Sequence, residues 1–188
     1  MIWRAISRPM TSISSGPMPR VVIAGGAIER PVPFPGWTLP GVMTAGGAQS
    51  LVKLQRVLPG KRILFAGTGP LQMVVANQVL DSGGTIEAVL EAGHIDNWIQ
   101  LIRGFSRNRG VLADGLHYIR GIRKAGVPIL RRHIIAEAHG NGRVEEAVIA
   151  GVDKDWSVIE NTRRTLKVDT ICLTGGLAYS DMMVDWIR

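Results

Sequence analysis

Cysteine is all but missing. Cys172 is the single one in 188 residues, so the chain forms no internal disulfide, and a redox CxxC pair is excluded with it. It lies in the apolar run 168–173, where a lone thiol reads as a core side chain. No apolar run approaches the roughly 18 residues that cross a bilayer as a helix. The four histidines have no metal-ligand spacing, no serine sits in a nucleophile elbow, and Asp153 and Asp155 lack the pattern of a calcium loop. Residues 1–19 hold no acid and no apolar h-region, which excludes a secretory signal. A poorly ordered or atypical tail is expected there, and the expected location is cytoplasmic.

Acids are outnumbered. Fifteen Asp and Glu against 22 Lys and Arg leave a net charge of +7. Much of the excess falls between Arg103 and Arg132, a stretch whose single acid is Asp114. A solvated helical face is the plain reading; a subunit contact or help with an anionic cofactor are the others. Aromatics are only 5%, and no stacking pattern of an RNA-binding module accompanies the basic run, so nucleic acid is the least supported partner.

Glycine and aliphatic residues are plentiful, with 23 Gly and 46% hydrophobic residues. The spacing predicts a strand over 20–27, an extended Pro-rich connector over 28–41, and a helix over 42–58 with Leu51, Val52 and Leu54 as candidate buried positions. A strand over 62–66 then runs through Gly67-Thr68-Gly69 into a helix opened by Pro70 and reaching about Asp81, followed by a second strand over 86–90. Ile95, Trp98, Ile99 and Ile102 mark one amphipathic helix; Leu112, Leu116, Ile119 and Ile122 mark another. Beyond it the period changes: strands over 127–138 and 144–152 flank Gly140-Asn141-Gly142 as a hairpin, and 165–173 leads into a final strand. The order predicts an α/β fold, Rossmann-like and three-layered, with a parallel sheet plus an antiparallel hairpin.

Gly67-Thr68-Gly69-Pro70-Leu71 between a strand and a helix is the candidate binding motif. The first glycine permits a tight turn, the second lets the backbone approach a pyrophosphate, and the helix N-terminus offers free N–H groups to the anion. The third glycine of such motifs is replaced by Gln72, and a plain strand–helix turn remains the alternative. Glu91 ends the second strand about 20 residues on, where a carboxylate accepts from a ribose diol and repels a 2′-phosphate, favouring NAD over NADP. Its alternative is an exposed acid at a strand end.

Residues 20–49, RVVIAGGAIERPVPFPGWTLPGVMTAGGAQ, resemble the FAD/NAD(P)-binding subunits of opine oxidases and hydrogen cyanide synthase, in the pyridine nucleotide-disulfide oxidoreductase superfamily. ILFAGTGPLQMVVANQVL (63–80), AVLEA (88–92) and VDTICLTGGL (168–177) extend the resemblance. It implies an NAD(P)-binding domain over 58–156, set between parts of an FAD-binding domain at 20–57 and 157–188. It further implies that Ala24, Gly25 and Gly26 end a strand beside the flavin, and that the chain corresponds to an interior portion of such a protein. The function then expected is that of a component of an FAD-dependent, NAD(P)-binding oxidoreductase, with further subunits for partners and no catalytic acid or base of its own. The alternative is a non-catalytic module for nucleotide binding or for assembly of subunits. Strands 20–27 and 168–173, separated from the rest of an FAD-domain sheet, are expected to expose unpaired edges and make the isolated chain aggregation-prone or partner-dependent.

Overall fold

The structure, a computed structural model, describes residues 27–93, 109–175 and 177–179. Its centre is a strand buried on both faces. β3 (Ile63–Gly67) and β9 (Thr170–Thr174) are short, almost continuously apolar and buried but for Gly67, the pattern of a parallel sheet covered on both sides. They form the middle of a five-stranded sheet in the order β2-β9-β3-β4-β5, with β2 Val42–Thr44, β4 Ile86–Glu91 and β5 Ile129–Arg131, every neighbouring pair parallel.

Alternation along these strands splits the core in two. Ile63, Phe65, Val89 and Cys172 face one layer with Val75, Ala76, Val79 and Ile122 of the helices. Leu64, Ala66, Leu90, Ile171 and Leu173 face the other with Ile135, Val144, Ala147 and Ile149. The helical layer contains α1 (Ala45–Ser50), α2 (Pro70–Asp81) and α3 (Arg109–Lys124). The opposite layer is an antiparallel meander of β6 (His133–His139), β7 (Glu146–Val152) and β8 (Val158–Lys167). Finally β1 (Ala27–Glu29) pairs antiparallel with β10 (Leu177–Tyr179).

α2 begins at Pro70, as expected, and spans the predicted length. Its end is a Schellman closure: Gly84 N–H donates to Val79 O and Gly83 N–H to Leu80 O, with Gly83 left-handed at φ +82°. Asn77 ties α2 to α3 by donating to Met73 O and Tyr118 O.

Four expectations are corrected. Residues 42–58 are not one helix. Val42–Thr44 pairs with β9, Thr44 Oγ1 then accepts from Gly47 N–H and caps α1, and a π-helical turn over Leu51–Gln55 ends at Arg56 in a left-handed conformation. Val52 is buried there, but Leu54 is 81% exposed. Residues 127–138 are not one strand either. Arg132, at φ +55°, turns the chain out of the parallel sheet after β5 and into the meander at β6. Its backbone joins the two sheets, with N–H donating to Glu91 O and its own carbonyl accepting from Val152 N–H. On α3, Ile122 is buried, whereas Leu116 is exposed. Lastly, 168–173 leaves no open edge, because β9 is hydrogen-bonded between β2 and β3.

The Gly140-Asn141-Gly142 segment connects β6 to β7 as the hairpin reading anticipated, and Cys172 is fully buried. The connector is a chain of turns and not simply extended. Trp37 N–H donates to Phe34 O and Leu39 N–H to Gly36 O, and Pro35 O and Pro40 O accept from Ala138 and Val144 on the meander side. Of the predicted strand over 20–27 only Ala27 is described, as the first residue of β1; residues 20–26, the helix at Ile95–Ile102 and Arg103 and Arg107 lie outside the described residues.

Candidate nucleotide-binding site

In an open α/β sheet, ligands bind beyond the carboxyl ends of the strands. Here β3, β4 and β9 end side by side: Gly67 is level with Glu91 on one flank and with Thr174 on the other. The turn after β3 is fixed by Thr68 N–H donating to Thr174 O at 3.1 Å and by Gly67 O accepting from Ala92 N–H at 2.9 Å.

The two glycines differ in what they require. A Cβ on Gly67 would sit 2.0 Å from Thr174 O, so this position is set by the closeness of β3 and β9. Among the described residues a Cβ on Gly69 would meet nothing within 4 Å, while φ +92° and ψ −178° place its backbone in a region reserved almost wholly for glycine. Gly69 therefore faces open space. It also forms the N-cap of α2, whose first turn has no side-chain cap and no acidic residue. Pro70 and Leu71 open the helix. Without a side-chain cap among the described residues, this N-terminus turns backbone N–H groups and the positive end of the helix dipole toward whatever occupies that space.

Glu91 is not the exposed acid of the plain reading; it is 9% exposed. Its Oε2 accepts from Gln72 Nε2 at 2.7 Å and its Oε1 from Gly93 N–H at 3.0 Å. Burial pushes its carboxyl above the ordinary range, while the Gly93 N–H, the Gln72 amide, the Gly69 N–H and the charge of Arg131 pull in the opposite direction. A carboxyl whose folded-state pKa is raised binds its proton more readily in the folded chain, so folding gains stability as pH falls through the window above the usual value near 4.5. Denaturation midpoints measured across that window should therefore rise toward lower pH by an increment that Glu91→Gln removes. An identical pH dependence in the variant would assign the increment to other groups.

On the meander side of the same strand ends lies a cavity of about 520 Å³. Phe34 of the connector, Thr68, Ile135, Trp156, Arg163 and Thr174 are among its walls. Trp156 stands at φ +64° in the turn between β7 and β8. Arg163 is held by Glu137 at 3.0 Å and by Glu160.

Of the residues singled out from sequence, Gly67, Thr68, Gly69, Pro70, Leu71 and Glu91 thus converge at one place. Ala24, Gly25 and Gly26 lie outside the described residues. Thr174, Trp156 and Arg163 also border the site, and Gln72, a departure from the glycine motif in sequence, lies within it. Thr174 was signalled by Thr-Gly-Gly at a strand end. Trp156 and Arg163 carried no comparable mark.

This arrangement of a β3–α2 glycine turn, parallel sheet and covering meander is that of the dinucleotide-binding domains of flavin- and pyridine-nucleotide-dependent oxidoreductases. Among solved structures the chain resembles a ferredoxin reductase from Rhodopseudomonas palustris, at TM-score 0.53 and 16% identity, over 86% of this chain and 35% of that one. It also resembles an NAD-dependent persulfide reductase from A. fulgidus, at TM-score 0.50 and 15% identity, over 81% and 25%. In sequence it is 33% identical over 156 residues to the HcnB component of hydrogen cyanide synthase from Pseudomonas aeruginosa, and 40% identical over 115 residues to an opine oxidase subunit of Rhizobium meliloti. These alignments cover 83% and 58% of this chain, but only 34% and 25% of the relatives. No protein-family model matches. The chain belongs to the FAD/NAD(P)-binding oxidoreductase superfamily, alongside these relatives, and spans about a third of the length of the first. Among the described residues, no helix is long and apolar enough to cross a membrane.

Proposed function

We propose that this chain binds NAD(H) at the β3–α2 turn and serves as a component of an FAD-dependent oxidoreductase. The open glycine turn carries the reading: at Gly69 no described residue fills the space a side chain would take, directly before a helix N-terminus without a side-chain cap. A pyrophosphate fits that space because it needs close backbone approach and N–H donors, both of which the turn supplies. Glu91, on the adjacent strand, would accept from the two hydroxyls of the adenosine ribose, and its charge would oppose a 2′-phosphate; this favours NAD over NADP. The other end of the dinucleotide would then run across Thr68 and Thr174 into the cavity beside Trp156.

When bound, nicotinamide and flavin supply the hydride chemistry themselves. The chain's own part is positioning. Gly67–Leu71 holds the phosphates, Glu91 orients the ribose, and the apolar walls at Phe34 and Ile135 keep water from the reacting end. FAD would be held by the FAD-binding parts that the family likeness implies, with Ala24, Gly25 and Gly26 as its expected neighbours. Because both relatives are named as subunits, a further polypeptide of the same enzyme is the expected partner, and oxidation of an amino acid or opine is the expected reaction class. A cytoplasmic setting goes with this reading.

Calorimetric titration with NADH, and separately with FAD, tests it. NADH binding without FAD is expected, weakened by about 10- to 100-fold in Glu91→Ala, the loss of charge-assisted hydrogen bonds worth roughly 1.5–3 kcal/mol. Binding of neither cofactor would reject the reading in favour of a module that only assembles with other subunits.

A further inference from the structure

Gln72 occupies the place where a third glycine would let helix and strand approach. Instead of standing out into solvent it is fully buried in the first turn of α2. Its Nε2 reaches Glu91 Oε2 at 2.7 Å and lies 3.4 Å from Gly67 O, so one amide group touches both the strand that begins the turn and the carboxylate across from it. Its Oε1 is buried with no hydrogen-bond partner among the described residues. The orientation follows from chemistry: turned the other way, the amide oxygen would face an ionised carboxylate oxygen, acceptor against acceptor. A buried acceptor left unpaired is destabilising. A side chain suited to packing alone would be apolar, like Val75 and Val79 further along the helix.

We infer that Gln72 is a positioning residue for the nucleotide site, holding the Glu91 carboxylate in register with the glycine turn so that it meets the ribose diol. The inference rests on the NAD(H) reading above. Gln72 takes one oxygen of Glu91 and the Gly93 N–H takes the other, with the Gly69 N–H also directed at the carboxylate, which together fix its plane at the end of the glycine turn. The groups facing Glu91 are the Gln72 amide and Gly69 N–H on the α2 side, the Gly93 N–H beyond β4, and Arg131 on β5. Gln72 favours the ionised form of Glu91, the form that accepts from both hydroxyls.

The test measures NADH affinity by nicotinamide fluorescence across pH 5–8 on the purified full chain. Gln72→Met, equal in length and lacking the donor, is expected to weaken binding about tenfold at neutral pH. The low-pH limb, where binding is lost as Glu91 takes up its proton, is expected to move to higher pH. A merely structural role would lower affinity without moving that limb. In a Glu91→Ala background the same substitution should have no further effect, because the coupled partner is gone. Gln72→Ala, which removes the donor without adding bulk, serves if the methionine variant does not fold. A wild-type chain that binds NADH, with both variants matching it in affinity and pH profile, would overturn the inference and leave the NAD(H) reading standing. A wild-type chain that does not bind NADH would overturn both.

Discussion

Replacing Gly67 by alanine should cost the fold roughly 3 kcal/mol or more, the upper part of the range for overpacking in a buried sheet. The new Cβ would lie 2.0 Å from Thr174 O and 2.7 Å from its carbonyl carbon, and both are backbone atoms with no rotamer to relieve the overlap. β3 and β9 are neighbouring inner strands, buried along almost their whole length, so parting them at this end disturbs the two cores at once. The Thr68 N–H bond to Thr174 O spans the same gap and would be lost. Urea denaturation measures the cost. A midpoint corresponding to a loss of less than about 1 kcal/mol would mean that the strand ends separate easily and that the glycine is not fixed by the sheet.

What the sequence revealed followed from local rules. β3, the Gly67–Gly69 turn and α2 were legible because a short apolar run, two glycines and a proline act within a few residues of one another, and each has one comfortable conformation. The hairpin at Gly140–Gly142 was legible for the same reason. β2 was not, since Val42-Met43-Thr44 is a strand only because β9, more than a hundred residues later, offers it a partner. β8 was hidden differently. Its residues, VIENTRRTLK, are mostly exposed, so it has no apolar alternation, and it is a strand because β7 is beside it. Missing β8 meant missing Arg163, and with it the cavity wall. The break at Arg132 was invisible because left-handed backbone at an arginine has no sequence mark. Gln72 shows the limit of motif reading: its departure from glycine was plain, but its bond to Glu91 depends on the distance between α2 and β4.

Replacing Gly69 by alanine should have the opposite balance from Gly67→Ala. No described residue lies within 4 Å of the added methyl, so the chain incurs only backbone strain at φ +92°, of order 1–3 kcal/mol, and should still fold. Binding should suffer far more. The methyl projects toward the N-terminus of α2, where a pyrophosphate must come within hydrogen-bonding distance of the backbone. Losing one or two charge-assisted hydrogen bonds, at about 1.5–3 kcal/mol each, corresponds to an NADH affinity reduced by about 100-fold. Affinity is to be measured below the onset of thermal unfolding, so that strain and blocked approach are not confused. Gly67 and Gly69 are two residues apart and both at positive φ, yet the first answers to its neighbour strand and the second to empty space. An unchanged NADH affinity in a folded Gly69→Ala chain would reduce the turn to a plain strand–helix connection, and with it the case for a phosphate there.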